Sequence, residues 1–143
     1  MKDQNILVSV VIPTYSRNET LTRAIDSVLD QSYQNLDIIV VDDNPADSDW
    51  RKSTEKLMEQ YKDNKKVRYL KNEKNLGGSG ARNEGIKASK GEYIAFLDDD
   101  DVYFKEKIEK QLDVFLNSYN EKLALVFCDA EMTMNDDVFV CNT

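Results

Sequence analysis

The sequence predicts an α/β fold, a three-layer α/β/α arrangement around a mostly parallel, Rossmann-like sheet. The first observation is that short apolar runs rich in β-branched residues alternate with stretches patterned as amphipathic helices. The second is that strand and helix follow one another repeatedly, which is typical of parallel strands joined by right-handed crossovers. The third is that polar residues directly follow three of the apolar runs. Sheets of this class bind ligands beyond the carboxyl ends of their strands.

The first half of the chain contains two strand-and-helix pairs. A strand is predicted for residues 6–15, ILVSVVIPTY, and a helix for residues 16–33, where apolar residues recur at helical spacing. A second buried strand lies in residues 36–49, LDIIVVDDNPADSD, and ends in acids and a turn that contains Pro45. Residues 50–64 are patterned as an amphipathic helix.

The second half continues the alternation. A shorter strand is predicted for residues 66–72, a glycine-opened helix for 78–90 and a strongly apolar strand for 92–101. Another helix is expected over 105–119, and a last strand over 122–132, KLALVFCDAEM. The sequence shows no internal repeat, low-complexity tract or linker, which indicates one compact unit.

The length of 143 residues predicts one domain, residues 1–143. Only about a dozen residues follow the last predicted strand, and they contain no helix that could cover the last edge of the sheet. We therefore expect this domain to be the N-terminal part of a longer protein. The sequence has neither a signal-peptide pattern nor an apolar run long enough to span a bilayer, so we expect a cytoplasmic location.

The composition excludes several classes of function. A net charge of −8 argues against nucleic acid as a partner, because no basic surplus is present to neutralise phosphates. The chain has no histidine, so any metal must be bound by oxygen, which favours magnesium, manganese or calcium. Cys128 and Cys141 form no metal-spaced or redox pair, and we interpret them as buried or incidental thiols in a reducing compartment.

The strand predicted for residues 92–101 ends in four consecutive aspartates, Asp98, Asp99, Asp100 and Asp101. A divalent cation that also binds substrate phosphates needs only one or two protein carboxylates. An Asp-x-Asp pair at the end of a parallel strand is suited to that purpose. One or two of the four could instead cap the helix that follows, because anions stabilise helix N-termini.

Two further polar clusters follow predicted strands. In VVDDN, Asp43 is favoured as a ligand contact, whereas Asp42 is equally compatible with a turn before Pro45. In NLGGSGARNEG, residues 75–85, glycines and Arg82 at a helix start suit a diphosphate, although a flexible loop with an exposed arginine fits equally well. Tyr15 could stack on a base or pack beneath a neighbouring loop.

Together, VSVVIPTYSR, DIIVVDDN, NLGGSGARNEGI and GEYIAFLDDDD resemble the family-2 glycosyltransferases, inverting enzymes of the GT-A fold, in order and spacing. The resemblance extends from about Val8 to about Met132. Each of the four motifs is weak separately, and the set is specific. The family usually has asparagine where this chain has Ser16.

The resemblance implies a role for each matching residue. It places Pro13 and Tyr15 at the nucleobase and ribose, and Asp43 on the base, usually uracil. It places Asn75 and Arg82 along the ribose, the diphosphate or the donor sugar. It assigns Asp98 to the ribose or a metal-bound water and Asp100 to a Mn²⁺ or Mg²⁺ ion that bridges the diphosphate. Asp99 would be the variable middle position, and Asp101 an outer residue around the metal or a helix cap.

The implied function is transfer of a sugar from a nucleoside-diphosphate donor, with UDP-sugars favoured, to an acceptor hydroxyl with inversion. The acceptor would be a glycan, a lipid-linked intermediate or a polymer, in polysaccharide or glycoconjugate synthesis at or near the inner membrane face. A metal would stabilise the departing diphosphate and offset the negative charge of the aspartates. The family supplies the catalytic base after these motifs, so we expect it beyond Thr143.

Two alternatives stay open from the sequence. The run DDDDV also satisfies the D-x-D-x-[TV] pattern of haloacid-dehalogenase-type phosphatases, in which Asp98 would be the nucleophile. That pattern normally follows the first strand, whereas here it follows about the fourth. The other alternative is a non-catalytic module that binds a nucleotide sugar or a metal.

Overall fold

The computed structural model describes residues 5–120, 122–134 and 137–141. Its main sheet has four parallel strands, namely β1 (Val8–Thr14), β2 (Leu36–Asp42), β3 (Val67–Lys71) and β4 (Tyr93–Phe96). Their order in the sheet is β3–β2–β1–β4, so the chain builds outwards to one side and then crosses to the other. The predicted parallel sheet is confirmed.

Helices connect the strands, as the alternating pattern predicts. They are α1 (Leu21–Leu29), α2 (Asp49–Met58), α3 (Gly77–Ala88) and α4 (Lys107–Asn117), with a short 3₁₀ turn at Glu59–Tyr61. Ser48 caps α2, because its hydroxyl accepts a hydrogen bond from the backbone N–H of Arg51 at 3.1 Å. No helix in the described part of the chain is long and apolar enough to cross a membrane.

The two central strands are buried on both faces, which explains their continuous apolar sequences. On one face, Val10 and Ile12 of β1 belong to a core cluster that includes residues of α1 and α4. On the other face, Val11 clusters with Ala81 of α3. The expected three layers are therefore present, with the sheet between two layers of helix.

Gly85 lets α3 lie directly on the sheet. A Cβ atom added at this position would be 2.3 Å from Cγ1 of Val11, closer than any side chain can approach. This contact fixes α3 against β1. The first turn of α3 thereby lies at the carboxyl ends of the central strands.

Strand β4 is shorter and less buried than the sequence predicts. Its side chains alternate in exposure, and Ile94 and Phe96 are 37% and 44% exposed. They are level with Ser9 and Val11 of β1, on the face where α3 packs against β1 and β2. The apolar sequence of β4 is therefore covered on one face only.

The strand predicted for residues 122–132 is wrong over most of its length. Residues 123–129 have no regular secondary structure, and Leu125 and Phe127 are 73% and 71% exposed. Only the end of the run enters a strand, β5 (Ala130–Met134), which pairs antiparallel with β6 (Asp137–Cys141) in a separate sheet. A β-rich sequence forms a strand only where a partner strand is available, and within the described residues none pairs with this segment.

Candidate functional site

A cleft of about 440 Å³ opens at the carboxyl ends of β1, β2 and β4 and at the first turn of α3. We call it the strand-end cleft. Every residue to which the sequence assigned a ligand or metal lines it, although these residues are far apart in the chain. They are Pro13, Tyr15, Asp43, Asn75, Arg82, Asp98 and Asp100.

The loop after β1 forms one wall of the strand-end cleft. Tyr15 is 52% exposed, so its ring is accessible at the cleft and is not packed beneath a loop. Ser16 has a positive φ of 50°, which is uncommon for a residue other than glycine, and its backbone N–H donates to Oδ1 of the buried Asn44 at 2.8 Å. This turn brings the next residue, Arg17, into the lining of the cleft.

Asp42, at the end of β2, is structural. Its side chain is fully buried, and its Oδ1 accepts from the backbone N–H of Asn44 at 2.9 Å, which is the Asx-turn alternative left open by the sequence. Its Oδ2 lies 3.0 Å from Nε of Arg51 and accepts a hydrogen bond from the Tyr69 hydroxyl. Burial, together with the hydrogen bond to Asp42, raises the pKa of Tyr69 above its ordinary value.

Asp43 has a structural contact that the sequence did not reveal. Its Oδ1 accepts from the side-chain amide of Asn72 at 2.7 Å and from the backbone N–H of Leu76 at 2.9 Å. Oδ2 lies 3.1 Å from the same N–H. Asp43 therefore ties the end of β2 to the beginning of α3 while still lining the strand-end cleft.

The glycine-rich segment begins α3 at the cleft. Gly77 has a φ of 75°, a conformation that glycine adopts without strain, and its N–H donates to Oδ1 of Asn75 at 3.1 Å. One turn later, Arg82 reaches across the cleft and forms an ion pair with the carboxylate of Asp98. The predicted arginine at a helix start thus faces the predicted acidic group directly.

The four aspartates after β4 form a turn, in which the N–H of Asp101 donates to the carbonyl of Asp98 at 3.1 Å. The carboxylates of Asp98, Asp100 and Asp101 are exposed, and one oxygen from each lies within 4.8 Å of the others. Asp99 points the opposite way and is buried, with Oδ2 accepting from the Thr14 hydroxyl at 2.7 Å. The turn therefore separates one structural carboxylate from three that face solvent.

The electrostatics of this turn favour a cation. Burial and the nearby charges of Asp100 and Asp98 raise the pKa of Asp101. Burial also raises the pKa of Asp99, although the Thr14 hydrogen bond and Arg17 act in the opposite direction. Carboxylate oxygens without nitrogen or sulfur are the donor set preferred by Mg²⁺ and Mn²⁺, so the residues present fit such an ion.

None of the four aspartates caps the following helix. The N-cap position of α4 is Glu106, five residues beyond Asp101, and its side chain makes no capping hydrogen bond. The helix-cap alternative for Asp101 is therefore wrong, because the chain from 101 to 104 is not helical.

Sequence reasoning missed three residues of this region. Arg17 forms an ion pair with Asp100, Thr14 holds Asp99, and Arg51 lies beneath the cleft with its Nη2 near three backbone carbonyls. Arg17 and Thr14 stand within the PTYSR motif, which was the available signal. For Arg51 there was no signal, because a helical arginine normally faces solvent.

A second cleft, of about 510 Å³, lies between α2 and β3 and is lined by Glu55, Met58, Tyr69, Lys71 and their neighbours. Its charged side chains already pair with each other, as Glu55 does with Lys71 at 3.0 Å. It lies away from the predicted motifs, so the strand-end cleft is the candidate site.

Comparison with known proteins agrees with this geometry. The sequence profile described as "Glycosyl transferase family 2" matches residues 9–136. The "Amylovoran biosynthesis glycosyltransferase AmsB" of Erwinia amylovora is 40% identical over 114 residues, which are 80% of this chain and 36% of that protein. The "UDP-Glc:alpha-D-GlcNAc-diphosphoundecaprenol beta-1,3-glucosyltransferase WfgD" of Escherichia coli is 33% identical over 132 residues, 92% of this chain and 49% of that protein.

Solved structures show the same fold. The S. aureus protein TarS, in a crystal structure of residues 1–349 with UDP-GlcNAc, is similar with a TM-score of 0.65 and 29% identity, covering 76% of this chain and 30% of that one. The mannosyltransferase PcManGT from Pyrobaculum calidifontis, solved with GDP-Man and Mn²⁺, has a TM-score of 0.64 and 20% identity over 78% of this chain and 32% of that one. These similarities confirm the GT-A fold.

The chain spans less than half of the length of each of the two curated relatives named above. The family profile, by contrast, covers most of the chain and includes all the motifs that line the strand-end cleft. This match argues against the phosphatase alternative, because residues 9–136 match a glycosyltransferase profile. The chain belongs to glycosyltransferase family 2.

Proposed function

We propose that this chain binds a nucleoside-diphosphate sugar, with UDP-sugars preferred, together with Mn²⁺ or Mg²⁺, for transfer of the sugar to an acceptor hydroxyl with inversion. The observation that carries the proposal is the strand-end cleft. There, Arg82 at the start of a helix faces Asp98 and Asp100 at the end of β4. A site with cationic groups on one wall and carboxylates on the other suits a metal-bound diphosphate.

The nucleoside would lie against the loop after β1. Tyr15 offers an accessible ring for stacking on the base, beside Pro13. Asp43 offers Oδ2 as an acceptor for a base N–H, while its Oδ1 is held by Asn72 and Leu76. The presence of UDP in a TarS structure, at 29% identity, supports uridine as the nucleoside.

Asp100 and Asp98 would hold the metal ion, which supplies positive charge where the diphosphate departs. Asn75 and Arg82 would orient the ribose and the diphosphate, and α3 directs its N-terminal turn toward the same space. Asp101 faces the same cluster and becomes a further candidate metal ligand. The buried Asp99 would hold the turn in place through Thr14.

The acceptor side of the reaction stays a prediction. We propose that the base that deprotonates the acceptor lies beyond Thr143, because the family that this chain resembles supplies it after the donor-site motifs. The similarity to AmsB, an amylovoran biosynthesis glycosyltransferase, and to WfgD, a glucosyltransferase named for a diphosphoundecaprenol-linked acceptor, supports a glycan or lipid-linked acceptor in polysaccharide synthesis. A cytoplasmic location at the inner membrane face also stays a prediction.

Calorimetric titration of UDP into the purified chain, with and without Mn²⁺, tests the donor site. We expect binding that depends on Mn²⁺ and that the substitution Asp100→Ala abolishes. Asp63→Ala is the matched control, because it removes the same charge from an exposed turn that precedes β3 and lies at the opposite edge of the sheet. Equal UDP affinity with and without Mn²⁺, in a folded chain, would contradict the metal role.

A further inference from the structure

Arg17 lies where a cation is needed. Its guanidinium contacts Oδ2 of Asp100 and is 3.4 Å from Oδ1 of Asp99, so one arginine neutralises two adjacent carboxylates. Asp100 is the residue to which the proposed function assigns the metal. Contact with Arg17 and coordination of a metal ion therefore compete for the same carboxylate.

The backbone that carries Arg17 is fixed. The N–H of Ser16 donates to Asn44 at 2.8 Å, and the Thr14 hydroxyl lies 3.0 Å from the carbonyl oxygen of Arg17. The side chains of Arg17 and Asp100 are, in contrast, 47% and 48% exposed. A solvated ion pair of this kind is weak and exchanges readily, so the guanidinium can move without any change in the fold.

Arg17 lines the strand-end cleft together with Arg82. A guanidinium released from Asp100 would stay at the cleft, because the contacts of Ser16 with Asn44 and of Thr14 with the Arg17 carbonyl hold the backbone there. The nearest new anion would be the diphosphate of the donor, which guanidinium groups bind well.

We propose that Arg17 is a placeholder cation: it pairs with Asp100, and it transfers to a donor phosphate when a metal ion binds Asp100. This inference rests on the proposed function, since it assumes that a metal–nucleotide complex binds at the strand-end cleft. It assigns Arg17 two effects of opposite sign. Arg17 weakens binding of the metal alone and strengthens binding of the nucleotide with the metal.

Substitution Arg17→Gln separates these two effects. We expect the variant to bind Mn²⁺ alone about fivefold more tightly, since a positive charge next to the ligand carboxylate is removed. We expect it to bind UDP in saturating Mn²⁺ about tenfold more weakly, since a charge-assisted hydrogen bond to phosphate is lost. Mn²⁺ binding is followed by electron paramagnetic resonance and UDP binding by calorimetry, with folding checked by circular dichroism.

Arg23→Gln is the matched control. Arg23 donates to the backbone carbonyl of Asp100 at 3.2 Å, whereas Arg17 contacts the Asp100 carboxylate itself. Its removal changes the net charge equally and leaves the Arg17–Asp100 contact in place, so we expect a smaller gain in Mn²⁺ affinity than in Arg17→Gln. An equal gain in Mn²⁺ affinity in both variants would show a general field effect and overturn the placeholder role.

The remaining outcomes distinguish this inference from the proposed function. If Arg17→Gln weakens UDP and leaves Mn²⁺ unchanged, Arg17 is a phosphate ligand without the placeholder role. If it weakens both, its role is structural. In either case the Mn²⁺-dependent UDP site of the wild-type chain would stand. A wild-type chain that binds neither Mn²⁺ nor UDP would overturn the proposed function and this inference together.

Discussion

Two arginine–aspartate ion pairs in the described structure differ in how far their side chains are buried. Below the strand-end cleft, the side chains of Arg51 and Asp42 are only 5% and 0% exposed. Within the cleft, Arg82 and Asp98 are 37% and 52% exposed. The chemical groups are the same, and their surroundings give them different roles.

In the buried pair, protein groups occupy both partners. Asp42 accepts from Asn44 and Tyr69, while Nη2 of Arg51 lies 3.1 Å from the carbonyl of Asp42 and 2.6 Å from that of Asn72. This pair joins the ends of β2 and β3, and it is buried from solvent. In the cleft pairs, both partners are partly exposed to solvent, so the proposed metal ion or phosphate would have access to either one. Burial thus separates the groups that build the site from those that can bind.

The largest expected effect comes from breaking the buried pair. Arg51→Met leaves the Asp42 charge buried without its cation, and we expect a loss of about 3–5 kcal/mol in the free energy of unfolding. Arg82→Met, in the cleft, should cost less than about 1 kcal/mol. Urea unfolding of the two variants measures both values. Equal losses of unfolding free energy in the two variants would contradict the distinction between the buried pair and the solvent-exposed pairs of the cleft.

The Arg68–Asp37 pair is of intermediate burial, and breaking it should cause an intermediate loss in the free energy of unfolding. Arg68 donates to both carboxylate oxygens of Asp37 at 2.6 and 2.7 Å, and the Ser9 hydroxyl donates to Oδ2 at 2.8 Å. Replacing Asp37 with Asn removes the charge from these bonds and should cost about 1–3 kcal/mol at pH 7. The variant Asp113→Asn, on the exposed face of α4, controls for the loss of one carboxylate.

The loss of unfolding free energy in Asp37→Asn should depend on pH. Burial raises the pKa of Asp37, but the hydrogen bonds and charge of Arg68, with Ser9, outweigh it and lower the pKa below the ordinary value of 3.8. The native state then binds its proton less tightly than the unfolded state, so this stability is present above pH 4 and is lost as the pH falls through the native pKa. We expect the wild type and Asp37→Asn to converge in urea unfolding once the pH has fallen below the native pKa of Asp37, which itself lies below 3.8. A difference that stays constant with pH would rule out the ionised Asp37 as its source.

Substitutions in the solvent-exposed pairs of the cleft should change UDP affinity more than the free energy of unfolding. Arg82→Gln removes a guanidinium from the strand-end cleft, and we expect UDP affinity in saturating Mn²⁺ to fall about tenfold. Its free energy of unfolding should stay within about 1 kcal/mol of the wild type. Lys56→Gln, an exposed lysine on α2, is the control for charge. Unchanged UDP affinity in the Arg82 variant would remove this residue from the proposed site.

The smallest expected effect concerns the turn before Arg17. Ser16 has a positive φ, which asparagine adopts more readily, and asparagine is what the family usually has at this position. Ser16→Asn should therefore raise the free energy of unfolding by about 0.5 kcal/mol, while the backbone bond to Asn44 is kept. Ser16→Val, which disfavours this conformation, should lower it. Thermal unfolding of the three proteins gives the order.

The sequence was sufficient for the parallel sheet and for the seven residues to which it assigned a ligand or a metal, all of which line the cleft. Buried parallel strands have continuous apolar sequences, and their carboxyl ends meet at one edge, so polar residues after β1, β2 and β4 had to converge. Side-chain partners could not be predicted in this way. Arg17 and Asp100, or Thr14 and Asp99, are more than eighty positions apart, and only the finished fold brings them together.

The sequence also did not predict which polar side chains are buried or which apolar segments find a partner strand. Asp42 and Asp43 are neighbours with the same chemistry, yet only Asp43 lines the cleft. The apolar run in residues 123–129 is typical of a strand, but strand formation also requires a partner, and the described structure gives it none. Local sequence determines what a segment can form, and its neighbours decide whether it does.

The central claim is that the strand-end cleft binds the metal–nucleotide complex, and paramagnetic broadening of backbone amide signals by Mn²⁺ in the presence of UDP tests it most directly. Our account predicts the strongest broadening at residues 98–101 and in the loop at 13–17. Asp100→Ala should remove it. Broadening centred instead on Glu55 and Glu59, at the cleft between α2 and β3, would contradict the account.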